Sequence, residues 1–302
     1  MTGVLSRLAT RIDTHGAKRR MKMFREGWAA TTSPDIGFYE TAKVQFRYRE
    51  RGAGQTLVFA ADPPVTLEAY DELLAIFAPH YRVIVVELPA MGFSATRTNY
   101  RFGWRETNDE VIAFLKGVAG EGAVLAFSCV AGLASVDIAV RHPELARKLV
   151  LLQTADLPGL LRWKASRDPR GILGTPFIGQ WAMKKIAPTR VGDWMGLAVG
   201  RQEQLKPLCG CASSSLDQGG LWALASAFQN YLHGRATVGV PQQPILAIWG
   251  LSDDSHPDEH ADSTQNYAPN VRTEKIVDLG HFPELEDPER IFSLIDPFIR
   301  EG

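Results

Sequence analysis

Two side chains of nucleophilic type, Ser128 and Cys129, stand next to each other in the chain. They lie where an apolar run, Ala123 to Phe127, gives way to a helical pattern carried by Leu133, Val136 and Val140. A strand that turns straight into a helix puts one side chain at the apex of a tight bend, above the free N–H groups of the first helical turn. A nucleophile needs that setting. A thiol paired with a histidine ionises more readily than a serine hydroxyl and attacks thioesters and activated esters well. Thioester exchange is nearly balanced in energy, so a cysteine there suits acyl transfer as well as hydrolysis.

The elements around the bend set its context. Strands are expected at Thr56 to Ala60, Arg82 to Glu87, Ala123 to Phe127, Lys148 to Leu152, Pro244 to Trp249 and Thr273 to Val277. A hairpin precedes them between Gly37 and Gly52, where Val44, Phe46 and Tyr48 alternate with polar residues. Helical patterns separate the strands over 66–80, Thr107 to Val118, Val130 to Arg141 and Pro288 to Arg300. Strands alternating with helices of this length mean βαβ units and a parallel sheet, an α/β fold. Residues 155–240 break the rhythm with Trp163, Trp181, Trp194, Trp222 and no clear strand, which reads as a mainly helical cap. The expected organisation is a helical extension (1–32), a core (33–154 and 241–302) and the cap (155–240).

The totals narrow the class of partner. A formal net charge of −1 and a pI near 6.7 give no global case for nucleic acid. Residues 1–25 carry seven Lys/Arg against one acid, Asp13, a local charge of about +6. Apolar residues at helical spacing over 4–28 make this segment a helix, either packed on the surface or docking an acidic partner such as an acyl carrier protein, or a membrane surface. Three cysteines, 129, 209 and 211, suit a reducing compartment better than a disulfide framework. No run reaches the roughly 18 apolar residues of a membrane span, and no h-region marks a secretory leader, so the expected location is cytoplasmic.

Five segments together resemble the α/β-hydrolase family over roughly residues 37–302. They are Tyr81 to Pro89 with Gly92-Phe93-Ser94, the bend at Ser128-Cys129, Arg141-His142-Pro143-Glu144, Ile248 to Asp253, and Gly280-His281-Phe282-Pro283. The resemblance implies an α/β-hydrolase fold, a mostly parallel sheet flanked by helices with an inserted cap. It also implies a triad in the chain order nucleophile, acid, histidine. His281 matches the histidine and Asp253 the acid, with Asp254 the neighbouring candidate. In relatives a His-Pro pair follows thirteen residues after the nucleophile, and thirteen residues past Cys129 is His142. That favours Cys129 as nucleophile, with Ser128 the alternative. Either choice puts a large residue, Phe127 or Val130, where the family pattern has a small one.

The same resemblance places the oxyanion hole at Val130 and at the loop after the strand ending near Ala60. There the donor position falls on Pro63, which has no N–H, so Asp62 would have to supply one from a shifted loop. An Asp62 carboxylate near the site would itself oppose an oxyanion. Ala61, Phe127, Trp163, Trp181, Trp222 and Phe282 are the expected pocket lining. His256 and His260 follow Asp253 closely, but no further ligand set joins them, so no metal and no cofactor is expected. The function this reading supports is acyl transfer on a thioester or ester, CoA- or carrier-bound, as a thioesterase or acyltransferase. The alternatives are a non-hydrolytic lyase or cyclase with His281 as general base, and a ligand-binding receptor.

Overall fold

The computed structural model describes residues 3–15, 34–89, 91–232, 236, 238–256, 260–267 and 271–301. Its centre is a sheet of nine strands: β1 (Ile36–Glu40), β2 (Val44–Arg51), β3 (Thr56–Ala61), β4 (Arg82–Glu87), β5 (Ala95–Thr96), β6 (Ala123–Ser128), β7 (Ala146–Leu152), β8 (Ile245–Gly250) and β9 (Val271–Ile276). The order is β1-β2-β4-β3-β6-β7-β8-β9, with the short β5 against β2. β1 and β2 form the antiparallel edge, and every pairing from β4 to β9 is parallel.

The inner strands read as unbroken apolar runs because both faces of a parallel sheet are covered. Val58, Ala60, Leu125 and Phe127 face one side, with helices α3 (Trp104–Phe114) and α4 (Cys129–Arg141). Leu57, Phe59, Val124 and Ala126 face the other, with α2 (Asp71–Phe77) and α10 (Pro288–Arg300). The period of two thus divides each strand between two cores. β5 carries too few residues to show any period.

Between β7 and β8 the chain forms α5 (Leu157–Arg167), α6 (Ile178–Ala198), α7 (Gln202–Asp217) and α8 (Leu224–Asn230). A first helix, α1, covers residues 3–15. It lies against α6 and α8, where Asp13 accepts from Lys184 Nζ at 2.7 Å and from Ser226 Oγ at 2.6 Å. Its small and polar side packs inward, and Val4, Leu5, Leu8 and Ile12 are left exposed. Buried, doubly bonded Asp13 explains this orientation, since an acid that faces a neighbour needs partners. The rest of the basic segment, residues 16–32 with Lys18 to Arg25, lies outside the described residues.

Among the described residues no helix is long and apolar enough to cross a membrane.

The long helix α6 ends against the loop after β9, where the His281 amide donates to Ala198 O at 2.6 Å. Gly280 makes that approach possible. A Cβ there would stand 2.1 Å from Ala198 O and 2.4 Å from Gly200 N. Backbone cannot swing away as a side-chain tip can. Gly280→Ala is therefore expected to destabilise the fold by about 3 kcal/mol, the upper range of overpacking costs. Urea unfolding measures it, and a change below about 1 kcal/mol would show that the loop yields freely.

Candidate active site

β6 runs without a break into α4. Ser128 is still extended, at φ −104° and ψ 149°, whereas Cys129 has φ 50°. A non-glycine residue in this left-handed region costs on the order of 1–3 kcal/mol and persists only where the surroundings enforce it. Here they do. α4 presses on the end of β7 so closely that a Cβ on Gly132 would meet Thr154 Oγ1 at 1.9 Å. The bend separates the two adjacent nucleophile candidates. The Ser128 hydroxyl turns down to Glu284 Oε1 at 3.3 Å, while Cys129 lines the cavity above.

The acid comes from the loop after β8. Asp253 is buried and saturated with donors. Its Oδ2 lies 2.7 Å from His281 Nδ1, 3.0 Å from His256 Nδ1 and 3.0 Å from Gln153 Nε2. Its Oδ1 accepts from the Ser255 amide at 2.8 Å and from the Ser255 hydroxyl. One carboxylate thus holds two histidines. Their rings stack at 4.7 Å with 15° between planes, and Trp163 stacks on the far side of His256 at 4.9 Å. Neither His256 nor Gln153 was marked as functional by its spacing in the chain. His256 follows a turn three residues past Asp253, and only the closed loop brings both imidazoles to the same oxygen.

Asp62 is the third charged group. The loop after β3 turns its carboxylate into the site, where Oδ2 lies 2.7 Å from His281 Nε2. Pro63 follows with no N–H to offer. The Tyr70 hydroxyl donates to Glu284 Oε1 at 3.4 Å. The Cys129 thiol lies 3.8 Å from His256 Nε2 and within 4.8 Å of both a His281 ring nitrogen and an Asp62 oxygen.

The electrostatics follow from that geometry. Burial alone would lower His281, but the Asp253 charge and the bonds to Asp253, Asp62 and Cys129 win, holding its imidazolium well above the usual range. Burial, aided by repulsion from His281, pushes His256 down to about 4 against its bond to Asp253. The two histidines hold Asp253 well below the usual carboxylate range in spite of burial. Burial and the Asp62 charge push the Cys129 thiol up, against bonds from His281 and the Val130 amide.

Glu284, under the bend, is pushed up to about 7 by burial and by the Asp62 charge. Among the described residues its Oε2 has no hydrogen-bond partner. An acid whose folded pKa is raised holds its proton longer in the native than in the unfolded chain, so stability falls as pH climbs from about 4.5 to about 7. Glu284→Gln removes that loss. Its stability relative to wild type is expected to rise by about 2 kcal/mol or more between pH 5 and pH 8. Urea titrations at both pH values measure the difference, and an unchanged difference would mean that Glu284 ionises normally.

Above Cys129 lies a cavity of about 310 Å³. Trp163 and Phe282 line it, together with Met183, Trp194 and Phe228. Phe127, Ala61, Trp181 and Trp222 are not among its lining residues. Phe127 and Ala61 point into the cores on opposite faces of the sheet, Trp222 packs against Phe102, and Trp181 is 66% exposed. Aromatic content alone does not say which way a ring faces on its helix.

The sheet order and the strand-to-helix bend agree with a match to the alpha/beta hydrolase family model over residues 16–294. The chain belongs to the alpha/beta hydrolase family and is a hydrolase. It is 26% identical over 226 residues to the pimeloyl-[acyl-carrier protein] methyl ester esterase of Aromatoleum aromaticum, covering 72% of this chain and 88% of that protein. It is 24% identical over 245 residues to the biotin biosynthesis bifunctional protein BioHC of Teredinibacter turnerae, spanning 76% of this chain but 41% of that longer protein. Among solved structures, an epoxide hydrolase of Bacillus megaterium superposes with a TM-score of 0.69 at 15% identity, over 88% of this chain and all of that one. A thermophilic esterase of Thermogutta terrifontis does so with 0.68 at 16%, over 88% and 98%.

Proposed function

We propose that this hydrolase acts on an acyl thioester or ester through a covalent acyl-enzyme on Cys129, as a thioesterase or acyltransferase. The observation that carries this reading is the Cys129 thiol, held at a strained bend at the floor of an apolar cavity, beside two histidines bound to one buried carboxylate. In this reading Asp253 fixes the rings, and His281 belongs with it and Cys129 in a triad. The thiolate attacks the acyl carbon, the leaving group departs with a proton, and water or another acceptor takes the acyl group. The Val130 amide provides one oxyanion donor. The cavity suits an acyl chain or an aromatic group.

Two observations support a carrier-bound substrate. The named relative acts on a pimeloyl-acyl-carrier-protein ester, and the first 25 residues are strongly basic. Arg7 and Arg11 of that segment are exposed on α1. An acidic carrier would meet them favourably. The test is intact-protein mass spectrometry after mixing with a panel of acyl thioesters and esters, which should show one acyl adduct.

A second reading is favoured by Asp62. Its carboxylate lies against His281 Nε2, beside a residue with no N–H, which suits a lyase or cyclase reaction without an oxyanion. Turnover retained in Cys129→Ala and lost in His281→Ala, with no adduct from any donor, would favour it over acyl transfer.

A further inference from the structure

We infer that the acyl group taken by this site carries a carboxylate at its far end, bound by Lys164 and Arg167 of α5. The inference rests on the proposed reading that an acyl group occupies the cavity, and it names the class of that group.

The cavity wall is mostly apolar, from Met183, Trp194 and Phe228 of the cap to Phe282 just before α9 (Pro283–Glu286). A plain hydrocarbon chain would need nothing more. One arc of α5 departs from this. Trp163, Lys164 and Arg167 all line the cavity. Positions i, i+1 and i+4 span only about 100° of a helix, so the three side chains face it together. Trp163 marks where the arc meets the groups around the thiol. Its ring stacks on His256 at 4.9 Å, and His256 Nε2 is 3.8 Å from Cys129 Sγ. The two cations therefore lie past the indole from the thiol, on the side that receives the far end of a chain held at Cys129.

Neither cation is matched from within the chain. Lys164 Nζ donates to the Leu232 carbonyl and lies 5.0 Å from the centre of the Phe228 ring. Arg167 donates to the Ser255 carbonyl, and its guanidinium carbon lies 5.9 Å from the centre of the Trp163 ring. All four partners are neutral. Among the described residues neither side chain forms an ion pair. Asp168, which ends α5, attracts Lys164, but its two oxygens accept from the Leu173 and Gly174 amides at 3.0 Å and 2.7 Å. Asp62, the one acid among the described lining residues, is held by His281 at 2.7 Å.

Half-buried Lys164 has thus lost hydration without gaining a counter-charge, a costly arrangement. Burial pushes it down to about 8 against the attraction of Asp168, which leaves it mostly protonated at neutral pH. A substrate carboxylate supplies the missing charge. Arg167 is exposed beside it and offers a planar fork of N–H groups, which a carboxylate accepts in pairs. A neutral chain end would instead cover the ammonium and compensate nothing.

The test reads binding apart from chemistry. In Cys129→Ala, isothermal titration calorimetry at pH 7 compares the monomethyl and dimethyl esters of the straight-chain dicarboxylic acids from succinic to suberic. At one chain length or more the half-ester is expected to bind at least about 10-fold tighter than the diester, the lower range for a hydrogen bond to a charged group. That preference should shrink in Lys164→Met and in Arg167→Met, vanish when the two are combined, and persist in Lys164→Arg. Near-UV circular dichroism checks folding, and Lys164→Gln carries the same expectation should the methionine variant not fold. Equal binding of both esters at every length, or a preference intact in the double variant, overturns the inference. So does tighter binding of 4′-phosphopantetheine than of pantetheine that needs both cations while the half-esters gain nothing, which would assign the pair to the phosphate of a carrier arm. Absence of an acyl adduct in the wild type would count against the proposed function, while the ester comparison still decides what Lys164 and Arg167 hold.

Discussion

Replacing Cys129 by alanine is expected to abolish the acyl adduct and to reduce turnover of an acyl thioester by about 10⁴-fold or more. Members of a nucleophile–base–acid unit act together, so removing the attacking atom forfeits nearly all that the others contribute. The structure makes the outcome specific to this residue. Ser128, one position earlier, directs its hydroxyl at Glu284 at 3.3 Å, away from the histidines. Ser128→Ala should therefore keep the adduct, and any loss should come from packing under the bend. Mass spectrometry on both variants decides the matter. An adduct that survives in Cys129→Ala and disappears in Ser128→Ala would transfer the role to the serine.

Asp253→Asn should be nearly as severe, with a fall in kcat of about 10⁴-fold and a much smaller change in KM. Exchanging the carboxylate of such a unit for an amide typically has this effect, because the histidine adopts the wrong tautomer. Here the consequence is doubled. Both His281 and His256 depend on the same oxygen, at 2.7 Å and 3.0 Å. An amide N–H pointed at Nδ1 would force either ring to move its hydrogen to Nε2, where it can no longer receive one. The loss of negative charge also removes the chief influence that holds His281 protonated. Steady-state kinetics with near-UV circular dichroism as a folding check measures this, and a fall below tenfold would show that the rings are positioned without Asp253.

These two results bear on what the cluster is for. His281 bridges Asp253 and Asp62, and His256 stands between Asp253 and the thiol. The site therefore holds more acid–base groups than a single nucleophile needs. A reaction that takes a proton from one partner and gives it to another would use such a surplus.

Much of this was legible along the chain. The apolar runs at β3, β4, β6, β7 and β8 mark a parallel sheet because burial on both faces removes polar residues from the whole strand. Cys129, Asp253 and His281 follow β6, β8 and β9, and the resemblance to the family singles them out in that chain order. The loop after β3 was legible in part, since Pro63 has no N–H at any position of the chain.

Other features had no local signature. His256 looks like one of two loop histidines, and only the turn from Asp253 to Ser255 folds its ring beneath His281. Gln153 is a lone polar residue after an apolar strand until its amide reaches Gly250 and Asp253 across the sheet. Trp181 and Trp163 are equivalent in composition, yet one is exposed and the other stacks on His256. α1 carries its apolar residues outward because one buried aspartate, paired with Lys184 and Ser226, sets its rotation.

The sequence by itself determined the sheet, the bend and the identity of the groups at the strand ends, because these depend on the period of burial and on the order of elements. The tertiary structure alone decided that two histidines share one carboxylate, that Asp62 holds the second nitrogen of one of them, and that the thiol faces the other. Those are distances between loops far apart in the chain. Such distances are set by packing, which no local pattern encodes.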